Sequence, residues 1–573
     1  MLRLNFQLFF PILFLLVVSI ENLKIVNTSF GKVRGAENRS EDGNHKYMFK
    51  AIPFAKPPIG NLRFALPEDP DPWDGIRDST EYSSACMSNF SNTNHPQKSM
   101  SEDCLYLNIF TSENCLLKKC AVIVYIHGGG NRLESAVMFS DDFILNRYVA
   151  EDVIFIAPAY RLGVFGQLYF GPSEALSENL LVYDLVKALN FIHSEISNFG
   201  GDPTRVTLMG HSSGASMVDF LGFSKLIDPE KILFQQLITF SGPVEFGFYD
   251  LAVDNSFELA EKLGCVQENR SSSEISKILD CLRKVNAMDL LRVQTVLVRR
   301  DWRNFKSVIR GAPIMEFNGT IEDFKRSSPA RNMICGTTEY EFSLAPIYPA
   351  SGTFIDFENP IEVIHHYKEM MHNHKSKLVD PISAGVYVSS RTYCEAMANS
   401  GANAYIFETR QKPESFHMSD MQYFIGIHRE TIHTKDMDIL DSFYLKMLTN
   451  FTKTGVPSPN WQKLDPKRAN YLEMKVDSEL GEGPVMKENF HEKEMKIWFG
   501  EMMEYDTNKQ AQVKSTLERA TRLGTSTGPS EKLSFFNHWW SYLIIFLGIT
   551  TVALVIVTVK KSAKSEEEVP LLR

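Results

Sequence analysis

Ser212 lies within Gly210-His211-Ser212-Ser213-Gly214, directly after the apolar run Val206-Thr207-Leu208-Met209. A serine at a sharp strand-to-helix turn, between glycines that leave room for neighbouring backbone, presents its hydroxyl as a nucleophile at the end of a sheet. Upstream, His127-Gly128-Gly129-Gly130 follows the strand-like stretch Ala121 to Ile126. The N–H groups of Gly128 and Gly129, with that of Ser213 after the nucleophile, would cradle a developing oxyanion. In a chain with 33 glycines, either motif alone also reads as a tight turn. The pair in this order points to covalent attack on a carbonyl carbon. No C-x-x-C or Cys/His cluster suggests a metal site, and this chemistry requires no cofactor.

Such a site needs a rigid platform. Val153 to Ala157, Val206 to Met209, Leu233 to Phe240 and Ala404 to Phe407 read as buried strands. Tyr183 to Asn198 carries apolar residues at helical spacing until Gly200-Gly201-Asp202-Pro203 breaks the chain. Strands separated by helices predict an α/β fold with a mostly parallel sheet covered on both faces. The 573 residues are 44% hydrophobic and 23% charged, ordinary values for a globular protein, with no internal repeat. A net charge of −10 without a dense Lys/Arg block in the body argues against a nucleic-acid partner.

The ends of the chain carry targeting signals. Residues 1–19 read as a secretory signal: Arg3 is the positive start, Phe9 to Val18 the apolar stretch, and Val17 and Ser19 suit a cleavage site. An uncleaved N-terminal anchor is the other reading. The sequons at Asn27, Asn38, Asn89, Asn269, Asn318 and Asn450, and eight cysteines, fit a glycosylated body in an oxidising compartment. Trp539 to Val559 is uncharged and apolar, and at about 1.5 Å per residue it spans about 31 Å, the thickness of a bilayer core. Lys560, Lys561 and Lys564 behind it mark a cytoplasmic flank. The expected order is therefore a catalytic domain over 20–504, a polar stalk over 505–538, a single transmembrane helix over 539–559 and a cytoplasmic tail over 560–573. In the tail, Glu567 with Leu571-Leu572 has the form of an acidic dileucine signal read by a sorting adaptor for endosomes and related organelles. A plain solvated tail is the alternative.

Further motifs carry a family resemblance. Phe49 to Phe64 (FKAIPFAKPPIGNLRF), Ser101 to Asn108 (SEDCLYLN), Tyr160-Arg161-Leu162-Gly163, Phe199 to Pro203 (FGGDP), Leu259 to Cys265, Cys281-Leu282-Arg283, and Phe451 to Gly455 with Trp461 stand in one order. From about residue 25 to 500 the chain resembles the type-B carboxylesterase/cholinesterase family. The resemblance implies an α/β-hydrolase fold, disulfides Cys86–Cys104 and Cys265–Cys281, and two partners for Ser212. The family's acid lies five residues after a strand-ending glycine, which puts it at Glu341 after Gly336, with Glu339 the runner-up. Its histidine opens a segment closed by a glycine nine residues later, as His417 stands to Gly426. The pairing of Cys115, Cys120, Cys335 and Cys394 stays open. Four positions depart from the family pattern: His211 stands where Glu is usual, Ser213 where Ala is, Met418 where Gly is, and Asn131 where an aromatic often follows the glycine loop.

The expected activity is hydrolysis of small-molecule carboxylic esters through an acyl-enzyme on Ser212. The same site could pass the acyl group to a sugar or another hydroxyl, as an acyltransferase. A catalytically silent adhesion protein of this family would lack the serine. A cholinesterase would carry a Trp in its first disulfide loop for cation–π contact, and residues 86–104 contain none.

Overall fold

The structure, a computed structural model, describes residues 23–39, 44–88, 96–242, 249–266, 274–300, 305, 311–315, 320–342, 357, 359–373, 378–413, 415–429 and 433–509. Its strands are β1 (Lys24–Asn27), β2 (Lys32–Arg39), β3 (His45–Pro53), β4 (Ile76–Asp78), β5 (Ala85–Cys86), β6 (Met100–Ser101), β7 (Tyr106–Ser112), β8 (Cys120–Ile126), β9 (Val153–Pro158), β10 (Gly201–His211), β11 (Gln236–Phe240), β12 (Asn332–Thr338), β13 (Ala404–Thr409), β14 (Tyr471–Met474) and β15 (Val485–Lys487). A 13-stranded sheet has the order β1-β2-β3-β7-β9-β8-β10-β11-β12-β13-β14-β15, with β4 beside β2. From β9 through β14 every pairing is parallel. The β1-β2-β3-β7-β9 edge and the β14–β15 pair are antiparallel. The mostly parallel sheet expected from the sequence is thus its central part.

The central strands are parallel because both of their faces are covered. Every residue of β8 (CAVIVYI) and β9 (VIFIAP) is buried, the pattern of a strand between two helical layers. All of helix Ser213–Phe223 is buried as well. Helix Leu180–Glu195 tightens into a 3₁₀ turn over Ile196–Phe199 and stops at Gly200 in a left-handed conformation, a residue type suited to that cap. β10 then starts at Gly201, earlier than the expected Val206, and its register on β8 shifts between the two. Pro203, which has no N–H to donate, sits in that irregularity. β11 starts later than Leu233, because the N–H groups of Ile232 and Leu233 turn to the Asp228 carboxylate at 2.8 and 3.2 Å.

Cys86–Cys104 and Cys265–Cys281 are bonded, and so are Cys115 and Cys120. Cys335 and Cys394 are free thiols in the core. Asn27 and Asn450 are exposed and Asn38 is half-buried; Asn89, Asn269 and Asn318 fall outside the described residues. So do the leader, most of the stalk, the apolar run Trp539 to Val559 and the tail with Glu567, Leu571 and Leu572. Among the described residues no helix is long and apolar enough to cross a membrane. A second compact unit begins at Glu504; its described residues, 504–509, are helical.

One buried ion pair ties the loop after β9 to the helical layer. Arg161 Nη2 and Nε meet the two carboxylate oxygens of Asp184 at 2.7 and 2.8 Å, and both side chains are buried. The guanidinium also donates to the Ala65 carbonyl. Asp184→Asn leaves that guanidinium without its counter-charge and is expected to cost about 3–5 kcal/mol of stability. Thermal and urea denaturation would measure it; an unchanged midpoint would show that the pair carries no such weight.

Candidate active site

β10 delivers Ser212 to the carboxyl end of the sheet. The chain steps from β8 outward to β9 and then returns across β8 to β10, so strand order reverses where the two motifs end. Ligands of open α/β sheets bind at such reversals. Ser212 has φ 56° and ψ −126°, and its N–H donates to the Phe240 carbonyl of β11 at 2.9 Å. The tightness of this turn explains its glycines. A Cβ on Gly214 would lie 2.1 Å from the Ile126 carbonyl oxygen, and one on Gly128 would lie 2.8 Å from that of His211 and 3.2 Å from Ser212 Cβ. The glycine loop therefore packs directly on the Ser212 turn. Asn131 N donates to Ser213 Oγ at 3.1 Å, tying the end of that loop to the helix that follows. Gly128 and Ser213 so lie beside Ser212, while Gly129 turns at φ 104° against the Leu133 carbonyl.

His417 and Glu341 come from other parts of the chain. Glu341 follows β12, and His417 lies between β13 and the short helix Met421–Phe424. The two segments run side by side: His417 N donates to the Glu341 carbonyl at 3.0 Å, and Tyr340 forms a backbone bridge with Phe416. His417 Nδ1 stands 2.6 Å from Glu341 Oε2, and its Nε2 stands 2.9 Å from Ser212 Oγ. A carboxylate only accepts, so the proton sits on Nδ1 and the Nε2 lone pair faces the serine hydroxyl. The other oxygen of Glu341 accepts from Ser241 Oγ and Thr338 N, both at 2.8 Å. Glu339 points elsewhere, its carboxylate 3.6 Å from Arg410.

Two further side chains set the electrostatics. His211 is buried, and its Nε2 donates to the His417 carbonyl at 2.7 Å. Its ring lies 4.9 Å from that of His417. Burial, and then the neighbouring His417, lowers the His211 pKa to about 3. His211 is therefore a neutral brace of the histidine segment, at a position where a carboxylate would add charge. Asp420, fully buried three residues after His417, has its pKa raised well above the carboxylate range by burial and by the charge of Glu341. It stays neutral.

Sequence reasoning missed Ser241, although Ser241-Gly242 directly after β11, the strand beside β12, is a signal that spacing could have used. It also missed Ser383 and Tyr387, which hold the Glu341 turn from helix Pro381–Asn399. Nothing local in the sequence distinguishes them from other polar residues on a helix.

A sequence model described as the carboxylesterase family matches residues 22–380 and 352–498. Gut esterase 1 of Caenorhabditis briggsae is 32% identical over 334 residues, covering 56% of this chain and 57% of that protein. Juvenile hormone esterase of Tribolium castaneum is 38% identical over 272 residues, 46% of this chain and 44% of that protein. The chain thus spans about half the length of these curated relatives. With carboxylesterase 1E of Rattus norvegicus the likeness is 28% over 545 residues, 83% of this chain and 93% of that protein. The motifs, the sheet order and the match over nearly all of the described residues lead to one conclusion: this chain belongs to the carboxylesterase family.

Proposed function

We propose that this protein is a serine carboxylic-ester hydrolase that acts on small-molecule esters through an acyl-enzyme on Ser212. The observation that carries this reading is the continuous relay from Ser212 Oγ through His417 to Glu341, at 2.9 and 2.6 Å. A serine hydroxyl needs such a base to be a competent nucleophile. His417 Nε2 takes the proton as Oγ bonds to the ester carbon, while Glu341 holds the tautomer and stabilises the imidazolium. The N–H groups of Gly128, Gly129 and Ser213 hold the oxyanion, each worth about 3–4 kcal/mol in the transition state. As the carbonyl re-forms, the C–O bond to the alcohol breaks and the imidazolium protonates the leaving oxygen. Water then adds to the acyl-enzyme by the same route in reverse and releases the acid. With His211 neutral and Asp420 uncharged, neither of these side chains adds a negative charge that would hold a cationic ester such as a choline ester. The esterase names of the relatives support the same reaction class.

We also propose that the catalytic body is lumenal or extracellular, cleaved from its leader and glycosylated, and held to the membrane by Trp539 to Val559. The tail with Glu567, Leu571 and Leu572 would direct it to endosomes or related organelles, or leave it at the plasma membrane. The support is the length of the apolar run, its three trailing lysines, and the disulfides.

Ser212→Ala is expected to abolish fluorophosphonate labelling and lower kcat by about 10⁶-fold. Glu341→Gln should lower kcat by about 10⁴-fold with the fold intact; wild-type turnover in either variant would sink the assignment. With a p-nitrophenyl ester and a competing alcohol, serine-dependent nitrophenol release should return the acyl group as free acid. Recovery mainly as the new ester would make the protein an acyltransferase, and no serine-dependent release at any acyl length would revive the adhesion reading. The full chain should stay in the membrane pellet after alkaline carbonate extraction, and its release into the supernatant would rule out the spanning helix.

A further inference from the structure

The turn that presents Glu341 is closed by side chains of another element. Tyr387 Oη, on helix Pro381–Asn399, donates to the Glu339 carbonyl at 2.7 Å and accepts from Glu341 N at 3.4 Å. One helical turn earlier, Ser383 Oγ accepts from Phe342 N at 2.8 Å. The backbone on both sides of the acid is thus fastened to one helix face.

Behind Tyr387 lies an arrangement that the proposed mechanism does not use. The His491 ring stacks on the Tyr387 ring with centroids 3.7 Å apart and planes 10° from parallel. His491 is nearly enclosed, and each of its nitrogens meets a carboxylate: Nε2 stands 2.8 Å from Glu408 Oε1, and Nδ1 stands 3.4 Å from Glu494 Oε2. Carboxylates only accept, so both contacts are satisfied only when both nitrogens carry protons. The ring is then an imidazolium on the face of a phenol, a cation–π contact. Glu408 is buried on β13, and its second oxygen accepts from Arg410 Nε at 2.7 Å. The neighbouring Glu492 is turned away to Arg391 at 2.7 Å, and the Phe490 ring closes the pocket edge-on at 4.7 Å. A cation held between two carboxylates and largely removed from water loses solvation that apolar packing would not lose. What this cluster holds in place is the ring of Tyr387.

We infer that Tyr387 and His491 are positioning residues of the active site: His491, clamped between Glu408 and Glu494, seats the Tyr387 ring, and the Tyr387 hydroxyl fixes the turn that holds Glu341 against His417. The inference rests on the esterase reading of Ser212, His417 and Glu341, and adds a support that reaches the acid's backbone from helix Pro381–Asn399. Its pH dependence has a definite sign. Burial opposes the charge on His491, but the hydrogen bonds and charges of Glu408 and Glu494 outweigh it, and the pKa is raised above the ordinary histidine value. A raised folded-state pKa means that the clamp's stabilisation is complete below the unfolded-state value and is lost as pH rises through the folded-state value. Glu341 is therefore held best in acidic and neutral conditions and loosens on the alkaline side.

The test uses the full-length protein and two variants, with kcat expressed per serine titrated by a fluorophosphonate so that only folded sites are counted. Tyr387→Phe keeps the stacked ring and removes the hydroxyl. It should lower kcat about tenfold, with KM within about twofold, since a small misplacement of a catalytic group costs rate more than binding. His491→Gln removes the cation; its kcat should be reduced at pH 6, and the alkaline fall in kcat expected of the wild type should disappear. Wild-type kcat in Tyr387→Phe, or an unaltered alkaline limb in His491→Gln, overturns the inference even if the melting temperature falls. Wild-type protein without Ser212-dependent turnover would instead sink the esterase reading, which the Ser212→Ala control reports separately.

Discussion

A serine held at φ 56° and ψ −126° occupies backbone space that costs on the order of 1–3 kcal/mol, and much of the surrounding structure exists to hold it there. The Ser212 N–H is tied to β11, the next eleven residues form a fully buried helix, and the Gly214 side opens onto the carbonyls at the end of β8. A residue of this kind relaxes unless strand, helix and adjacent loop all oppose its movement. The parallel strands supply that opposition because both of their faces are buried, so none can shift without exposing its apolar residues. The glycine loop can then pack on the Ser212 turn, with Gly128 against His211 and Ser212.

The second organising feature is the treatment of charge. Glu341 is a buried carboxylate with three donors: His417, Ser241 and the Thr338 N–H. They satisfy a buried group that would otherwise be left without hydrogen-bond partners. Two other ionisable groups close by are kept neutral, His211 by burial and His417, Asp420 by burial and Glu341. Neither of them adds a charge beside the His417 imidazole. The His491 cluster, with its two carboxylates and Arg410, is a separate charged nest that acts on the acid through the backbone.

Much of the site was legible in the chain because its chemistry imposes local rules. The glycines around Ser212 and after β8 are dictated by clashes within a few residues, so the motif and the turn appear together. Glu341 and His417 lie far from Ser212 in sequence and were readable only through the family's spacing from Gly336 and to Gly426; Glu339 could be set aside only once its carboxylate was seen beside Arg410. The strand edges were read less well. β10 opens at Gly201 across a bulge at Pro203, and β11 opens late because Asp228 captures the amides of Ile232, Leu233 and Phe234. Both are side-chain and register effects that hydropathy does not carry.

The amino-acid sequence by itself determined that a serine elbow and a glycine loop would follow two buried parallel strands, since apolar runs, glycines and their spacing are local properties. Tertiary structure alone decided which strands are neighbours, that Cys115 bonds Cys120 while Cys335 and Cys394 stay reduced, and that Ser241 and Tyr387 brace the acid. It also decided that His211 is a neutral brace and His491 a charged one. Both are histidines in the chain; the difference arises because one is enclosed beside another imidazole and the other between two carboxylates, and proximity across the fold sets which protonation state is the cheaper to bury.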